Sequence, residues 1–204
     1  MHYNGSEFYD NETNFAKYME RRQWQENAND TLEKPVMCEL IGEVNGKKIL
    51  DLGCGDARFA KDLFALGCEE YIGIDGSSNM VQVASNSLAG YNARVIRTTM
   101  ESWDYPKNTF DLVISRLAIH YIEDIDSLFQ KIYQSLKPNG GFIFSVEHPV
   151  ITSTLQPSGI RTNWIVDHYF IEGYREQQWL GGNIIAPLNS IIEQYKRQDL
   201  PSHI

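Results

Sequence analysis

The chain contains 204 residues, of which 27 are acidic and 18 are basic, so its net charge is −9, and 42% of its residues are apolar. This length favours one domain with a single sizeable core, and the composition excludes a disordered or collagen-like chain. No stretch approaches the ~20 uninterrupted apolar residues that a bilayer-spanning helix needs. Acidic residues recur through residues 1–30, where a secretory signal would be apolar. We therefore expect a cytoplasmic protein with no membrane partner.

The charge balance and the cysteines exclude further classes of protein. An acidic excess argues against nucleic acid as a partner, because nucleic-acid-binding proteins usually carry a basic stripe or patch. Cys38, Cys54 and Cys68 form no C-x-x-C pair, and the chain has no His-x-His or H-E-x-x-H motif. The sequence therefore indicates neither disulfides nor a metal site, and we expect small buried thiols.

Between residues 48 and 146, short β-rich runs alternate with amphipathic stretches. This alternation is typical of βαβ units and a parallel sheet. Five strands are predicted, at residues 49–52, 71–75, 93–96, 110–114 and 142–146. Apolar residues at helical spacing predict three helices between them and two upstream, at residues 59–66, 80–88, 128–136, 14–22 and 35–44. Ser77 and Ser78 are candidate N-caps.

We expect one domain in three parts. Residues 1–45 are predicted to form a helical cap at one end of the sheet, and residues 46–150 form the core with its ligand site. Residues 151–204 are predicted to hold an aromatic segment and a last helix. In that helix, apolar residues lie at i, i+3, i+4 and i+7, namely Leu188, Ile191, Ile192 and Tyr195.

A glycine turn follows the first predicted strand. Gly53 and Gly55 let the backbone turn tightly and approach a ligand at the carboxyl end of that strand. A dinucleotide-binding loop would have Gly or Ala where Arg58 stands. Asp51 and Asp56 flank the glycines and would repel phosphates, whereas they suit a cationic ligand. An ordinary strand-to-helix turn with solvated carboxylates is the alternative.

A second carboxylate follows the second predicted strand. Asp75 stands 20 residues after Gly55, where a doubly wound sheet places a group that accepts hydrogen bonds from a ribose. Taken alone, Asp75 could equally be the N-cap of the following helix. Its combination with the glycine loop favours ribose binding.

At these residues the chain resembles the class I S-adenosylmethionine-dependent methyltransferases. The segments that match family motifs are 51–55, 74–77 with Met80, 110–115, and the turn at 136–141 before the fifth strand. Residues 145–149, Ser-Val-Glu-His-Pro, resemble a subgroup of small-molecule-type methyltransferases. The resemblance implies a Rossmann-like, mostly parallel sheet with helices on both faces, and S-adenosylmethionine as the cofactor. It also implies methyl transfer to a small-molecule acceptor by direct displacement.

The resemblance implies a set of cofactor-binding residues. The methionine part is expected at Asp51, Gly53 and Gly55, and the ribose at Asp75 and Gly76. The adenine faces are expected at Met80 and Met100, and the transferable methyl group near Ser115. The family commonly has an acidic residue where Thr99 stands, hydrogen-bonded to the adenine amino group. Either the Thr99 hydroxyl or the Glu101 carboxylate could make that contact instead.

The charge of the cofactor is consistent with this assignment. S-adenosylmethionine carries a sulfonium and an ammonium against one carboxylate, which suits an acidic loop. A cation over an aromatic face is stabilised by roughly 0.5–2 kcal/mol, and Tyr9, Phe15, Tyr18 and Trp24 lie in the predicted cap. We single out Tyr18 for cofactor contact, with core packing as the alternative.

Two histidines are candidates for the catalytic step. Alignment of the reactants can contribute roughly 7–11 kcal/mol to such a displacement, and a general base is needed only if the acceptor must lose a proton. His120 and His148 follow the fourth and fifth predicted strands, at the edge where open α/β sheets bind ligands. An imidazole suits proton removal near neutrality, although both side chains could be structural. Glu147 could orient His148 or cap a loop.

The acceptor and two rival functions stay open. Aromatic residues are dense in residues 164–179, which favours a planar or apolar acceptor, or ordinary packing. A dehydrogenase on the same fold is disfavoured by Arg58 and the flanking carboxylates. A catalytically silent module that binds S-adenosylmethionine is the other rival.

After Val150 only 54 residues remain, so we expect the family's sixth and seventh strands to be missing. The predicted sheet then has five strands in the order 3-2-1-4-5, and the fifth is an edge that proteins normally cover or pair. Residues 164–171 and the last helix could fold over this edge, and we favour coverage by that helix together with some self-association. A second copy of the chain in a homodimer, or truncation of a longer enzyme, are the alternatives.

Overall fold

The computed structural model of the protein describes residues 2–23, 27–148, 150, 163–166, 169, 173–179 and 182–188. In this part of the chain the helices are α1 (Glu7–Asp10), α2 (Glu12–Arg22), α3 (Lys34–Ile41), α4 (Arg58–Ala65), α5 (Ser78–Ser87) and α6 (Ile125–Ser135). The strands are β1 (His2–Asn4), β2 (Lys48–Leu52), β3 (Glu70–Asp75), β4 (Ala93–Arg97), β5 (Phe110–Arg116), β6 (Leu136–Ser145), β7 (Gly173–Trp179) and β8 (Gly182–Leu188). A π-helical turn at Asn29–Glu33 precedes α3, and a 3₁₀ turn at Ile119–Tyr121 follows β5.

Five of these strands form one parallel sheet in the order β4-β3-β2-β5-β6. This is the predicted 3-2-1-4-5 order, and the predicted Rossmann-like α/β class is confirmed. The order reverses between β2 and β5, and open α/β sheets bind their ligands beyond the carboxyl ends of the strands at such a point.

Both faces of the central strands are buried. Ile49 of β2 packs with Phe59 and Tyr71 on one face, while Leu50 packs with Phe110 on the other. A strand that is covered on both faces carries apolar residues at consecutive positions, as β2 does at Ile49 and Leu50, before the buried Asp51. The carboxyl ends of β2 and β3 therefore rest on a close-packed core.

Helix α5 begins where the sequence predicted. Ser77 is its N-cap, and the side chain accepts a hydrogen bond from the backbone N–H of Met80 at 3.3 Å. Ser78, the other candidate, is the first residue of the helix. This cap fixes the turn that leads from Asp75 into α5.

Strand β6 starts earlier than predicted. Leu136 pairs with Phe110 directly after α6, and the regular ladder resumes with Gly141 opposite Leu112. The residues between them were predicted as a turn, and they form an irregular part of the strand with Asn139 at a φ of 66°. Pairing with β5 extends the strand through a sequence whose local pattern indicates a break.

The prediction for residues 173–188 was wrong. Strands β7 and β8 pair with each other antiparallel, and β8 pairs in parallel with β1 in a separate three-stranded sheet. Leu188 therefore ends a strand, whereas it was predicted to open a helix, and residues 189–195 lie outside the described residues. Trp179 pairs with Gly182 at one end of this ladder, and the Gly-Gly dipeptide at 181–182 of the sequence is a break signal that argues against one continuous element there.

The outer edge of β6 has no strand partner within the described part of the chain. Trp164, Ile165 and Val166, which were predicted to help cover this edge, are exposed. A homodimer stays a prediction. In the described residues, no helix is long and apolar enough to cross a membrane.

Candidate active site

The glycine loop joins β2 to α4 and is anchored to β3. The backbone N–H groups of Gly53 and Cys54 donate to the carbonyl of Ile74 at 2.9 and 3.0 Å. Gly53 has a φ of 73°, and a Cβ there would lie 2.4 Å from the Cβ of Ala118. Gly55 has a φ of 54° with open space where a Cβ would stand. The loop therefore packs against the protein at Gly53 and leaves room for a ligand at Gly55.

Asp75 ties this loop to the start of α5. Its two carboxylate oxygens accept from the backbone N–H groups of Gly55 and Ser77, each at 2.9 Å. Burial raises the pKa of Asp75, and these hydrogen bonds oppose that rise. The N-cap alternative does not hold, since Ser77 caps α5. Each carboxylate oxygen keeps a second lone pair, so Asp75 can also accept a hydroxyl.

Asp51 is buried at the base of the same cavity. Only 3% of its surface is exposed, and the Tyr71 hydroxyl donates to its Oδ2 at 2.7 Å. Burial raises the pKa of Asp51 to about 6. Among the described residues no group hydrogen-bonds to Oδ1, and an unpaired buried carboxylate oxygen is costly. A ligand with a cationic donor fits this position.

Three arginines around the cavity were not predicted as part of the site. Arg22, Arg58 and Arg116 line it together with Asp51 and Asp56. Arg58 Nε lies 2.9 Å from Asp56 Oδ2, and Arg22 Nε lies 3.9 Å from the same oxygen. The sequence predicted that both Asp51 and Asp56 would suit a cationic ligand. In the structure this holds only for Asp51, because Arg58 and Arg22 neutralise the charge of Asp56.

Arg116 connects the end of β5 to the turn before α3. Its Nε donates to both carboxylate oxygens of Glu33, at 2.9 and 3.1 Å, and its guanidinium lies 4.4 Å from the ring centre of Phe59. Ser145 of β6 also donates to Glu33, at 2.6 Å. Arg116 and Ser145 stand 83 and 112 residues after Glu33 in the sequence, so local sequence patterns carry no signal of these contacts.

The N-terminal segment packs on the turn after β3. Asp10 accepts from the hydroxyls of Ser77 and Ser78 at 2.7 and 3.1 Å. A Cβ at Gly76 would lie 2.4 Å from the Ser6 hydroxyl oxygen. The predicted cofactor residue Gly76 is thus required for the close approach of the segment around Ser6.

Tyr18, the aromatic residue singled out in the cap, lines the cavity from α2. Its ring stands edge-on to Tyr9, with centroids 5.0 Å apart. Burial raises the pKa of both phenols, so both are neutral at physiological pH. Trp24 lies outside the described residues.

The remaining predicted cofactor residues have different environments. Met80 and Met100 are buried, and Met100 packs beside Gly53. Ser115 is fully buried, and its hydroxyl donates to the Leu52 carbonyl at 2.8 Å. The Ser115 side chain therefore links β5 to β2.

The two candidates for the adenine amino group are both exposed. Ser102 donates from its backbone N–H to the Thr99 hydroxyl at 3.3 Å, so Thr99 caps a turn. Lys131 donates to the Glu101 carbonyl at 2.7 Å. The Lys131 bond is to the backbone of Glu101 and does not involve its carboxylate.

The two histidines follow the neighbouring strands β5 and β6. His120 lies in the 3₁₀ turn beside Tyr121, with ring centres 4.3 Å apart. Burial lowers the pKa of His120 to about 4, and its Nδ1 has no hydrogen-bond partner among the described residues. His148 is exposed, and its Nδ1 accepts from the Val150 N–H at 3.2 Å. Tyr169 stacks at 6.2 Å from the His148 ring.

Comparison with known proteins identifies the family to which the chain belongs. Residues 50–144 match the model of a methyltransferase domain. The fold is similar to a crystal structure of an S-adenosylmethionine-dependent methyltransferase from Mesorhizobium loti, with a TM-score of 0.75 and 31% identity over 83% of this chain and 80% of that one. The chain belongs to the S-adenosylmethionine-dependent methyltransferases. Its cofactor is accordingly S-adenosylmethionine.

Two further relatives extend over most of the chain. A structure of a methyltransferase of this type from Listeria monocytogenes has a TM-score of 0.72 and 29% identity, over 80% of this chain and 77% of that one. An uncharacterized protein of Haemophilus influenzae is 32% identical over 184 residues, which cover 84% of this chain and 72% of the relative. The chain spans less than half the length of several other curated relatives that it matches.

In this methyltransferase the cavity fits the cofactor. Asp51 Oδ1, which has no partner among the described residues, suits the ammonium, and the Asp75 carboxylate, which is hydrogen-bonded to Gly55 of the cavity lining, suits the ribose hydroxyls. The family and this donor set do not favour the dehydrogenase alternative.

Proposed function

We propose that this methyltransferase acts on a small-molecule acceptor at the carboxyl end of the five-stranded sheet, with Asp51, Gly55 and Asp75 holding the cofactor. The observation that supports this placement most is at Asp51, which lines the cavity beside the glycine loop and whose buried Oδ1 has no hydrogen-bond partner among the described residues. When bound, S-adenosylmethionine would supply a methyl group for direct displacement by the acceptor, with S-adenosylhomocysteine as the leaving group. The protein has to align the reactants and exclude water.

The N-terminal cap supports a small acceptor. Its α2 places Tyr18 and Arg22 on the cavity wall, and Arg58 donates to the Arg22 carbonyl at 2.6 Å. Asp10 and Ser6 pack on the turn that follows β3. A site that is covered in this way favours a compact acceptor over a polymer. The net charge of −9 further disfavours nucleic acid.

We assign different roles to the two histidines. The low pKa of His120 keeps its imidazole neutral at pH 7 and makes it a weak base, while its unpaired Nδ1 suits a hydrogen bond to an acceptor. His148 is exposed, and we assign it as the general base for an acceptor that must lose a proton, which Nδ1 takes up when it releases the Val150 N–H. Glu147 next to it is half-buried.

A binding and turnover experiment tests this function. Isothermal titration with S-adenosylhomocysteine should show binding to the wild type and weak binding to Asp51→Asn. Transfer of a labelled methyl group should then be screened over phenols, carboxylic acids, amines and thiols of low molecular weight. Turnover with one of these classes supports the proposal. Tight binding without transfer to any of them would instead support the silent binding module.

A further inference from the structure

Tyr71 approaches Asp51 across the face of the sheet. In the β2–β3 register, Tyr71 stands opposite Ile49 and Gly73 stands opposite Asp51. Tyr71 and Asp51 therefore lie on the same face, two positions apart along the ladder. The phenol is fully buried, and its hydroxyl reaches Asp51 Oδ2 at 2.7 Å.

Gly73 makes this contact possible. A Cβ at Gly73 would lie 3.0 Å from the Tyr71 Cε1 and 2.8 Å from the Cys54 sulfur. The Tyr71 ring thus occupies the space in which a side chain at position 73 would stand. The glycine, the phenol and the carboxylate form one arrangement that extends from β3 to the cavity.

We propose that Tyr71 is a positioning residue for the cofactor: its hydroxyl holds Oδ2 of Asp51 so that Oδ1 faces the cavity and accepts the cofactor ammonium. This inference rests on the role proposed above for Asp51. Tyr71 itself lies behind Asp51 and does not line the cavity. It therefore acts through the carboxylate.

The electrostatic surroundings of Asp51 make the role of Tyr71 measurable. The pKa of Asp51 is raised to about 6; burial is the main cause, and the carboxylates of Asp75 after β3 and Glu33 before α3 act in the same direction. The Tyr71 hydrogen bond and the Arg116 guanidinium at the end of β5 lower it. Cys54 faces the same carboxylate from the glycine loop, and burial keeps the pKa of its thiol high, so that the thiol is neutral.

The sign of the pH effect follows from these contacts. A cationic donor binds the ionised form of Asp51, so affinity for the cofactor should rise as the pH increases through about 6. Replacing Tyr71 by Phe removes a hydrogen bond to the ionised form, which raises the pKa of Asp51. The rise in affinity then occurs at a higher pH.

Isothermal titration of S-adenosylhomocysteine from about pH 5.5 to 8.5 tests the proposal in wild type, Tyr71→Phe, Asp51→Asn and the double variant. In Tyr71→Phe we expect roughly tenfold weaker binding at pH 7, the effect of one hydrogen bond to a charged group, with recovery toward pH 8.5. Asp51→Asn should lose the pH dependence. In the Asp51→Asn background, Tyr71→Phe should cause no further pH-dependent loss.

Tyr91→Phe is the matched control. Tyr91 is 44% exposed and packs on Phe64, the ring whose other neighbour is Tyr71. Tyr91→Phe removes a phenol hydroxyl from the same aromatic cluster, but Tyr91 does not reach Asp51. The affinity of this variant for S-adenosylhomocysteine and the pH midpoint of its binding should therefore equal those of the wild type. Carboxyl ¹³C NMR of aspartate-labelled protein provides a second readout that needs no cofactor, and the Asp51 resonance should titrate at higher pH in Tyr71→Phe.

The outcomes separate this proposal from the one on which it rests. Wild-type affinity in Asp51→Asn at pH 7 would overturn the cofactor role of Asp51 and the Tyr71 proposal together. Weak binding in Asp51→Asn combined with an unchanged pH midpoint in Tyr71→Phe would overturn only the positioning role. An Asp51 resonance that titrates equally in both proteins would have the same meaning.

Discussion

The cofactor half and the acceptor half of the site are built differently. In the cofactor half, which lies after β2 and β3, backbone N–H groups bond to Ile74 and Asp75 within 2.9–3.0 Å. In the acceptor half, after β5 and β6, the main link is the half-buried ion pair between Arg116 and Glu33. The first half is held by consecutive elements of the sheet, and the second depends on a side chain from the N-terminal cap.

This difference has a functional consequence. The cofactor half is assembled whenever β2, β3 and α5 pack together, so its geometry is as stable as the core. The acceptor half needs the turn at Asn29–Glu33 to dock, because Glu33 receives hydrogen bonds from both Arg116 and Ser145. We expect variants in the first half to change binding of S-adenosylhomocysteine and variants in the second to change turnover.

The largest effect is expected from Gly53→Val. A valine would need a φ of 73° and would place its Cβ 2.4 Å from Ala118, so it should abolish binding and lower the free energy of unfolding by about 3 kcal/mol or more. Gly55→Ala is the control for stability, because Gly55 has open space at its Cβ and the left-handed backbone costs an alanine only about 1–2 kcal/mol. Urea unfolding measures the stability of both variants, and calorimetric titration measures binding in Gly53→Val. Equal losses of unfolding free energy in the two variants would contradict the packing argument.

A smaller effect is expected from His148→Ala in the acceptor half. If His148 is the general base, kcat should fall about 100-fold, while the Kd for S-adenosylhomocysteine changes little because His148 is exposed and follows β6. Steady-state kinetics with an acceptor identified in the screen give the first quantity, and titration gives the second. A large loss of cofactor binding would show that His148 belongs to the other half.

Asp75→Ala should weaken S-adenosylhomocysteine about 50-fold, since it removes the ribose acceptor and leaves two backbone N–H groups unpaired. Asp111→Ala is the control at the opposite end of the sheet. Asp111 accepts from the Lys48 N–H at 2.9 Å and from Lys137 at 2.8 Å, so it should affect stability and leave binding unchanged. Wild-type binding in Asp75→Ala would remove Asp75 from the site.

The smallest effect concerns the pH dependence of stability. The pKa of His120 is about 4 in the folded protein and ~6.5 when unfolded. The unfolded chain therefore binds more protons in this window, and stability is lost as the pH falls from 6.5 to 4. Asp51, whose pKa is raised to about 6, acts in the opposite direction.

Replacement of His120 by Gln tests this sign. The variant should lose less stability than the wild type between pH 6.5 and 4, because the depressed imidazole is gone and the Asp51 contribution remains. Thermal unfolding at closely spaced pH values measures the difference. Parallel curves for the two proteins would show that His120 titrates normally in the fold.

Local patterns predicted the part of the site that local structure builds. The apolar run of β2, the glycines after it and Asp75 at the end of β3 are each defined by a few neighbouring residues. Helical spacing located α2 to α6 within a few residues, and Ser77 was identified as a cap. In these segments, backbone sterics and burial of one face or of both determine the structure.

Long-range contacts decided the rest. No local signal places Glu33 on Arg116, Asp10 on Ser77 or Tyr71 on Asp51, because these pairs meet only when separate elements pack. The same holds for the second sheet, in which β1 at one end of the chain pairs with β8 near the other. Strand pairing over such separations depends on which edges the folded core leaves accessible, and periodicity within one segment does not encode that choice.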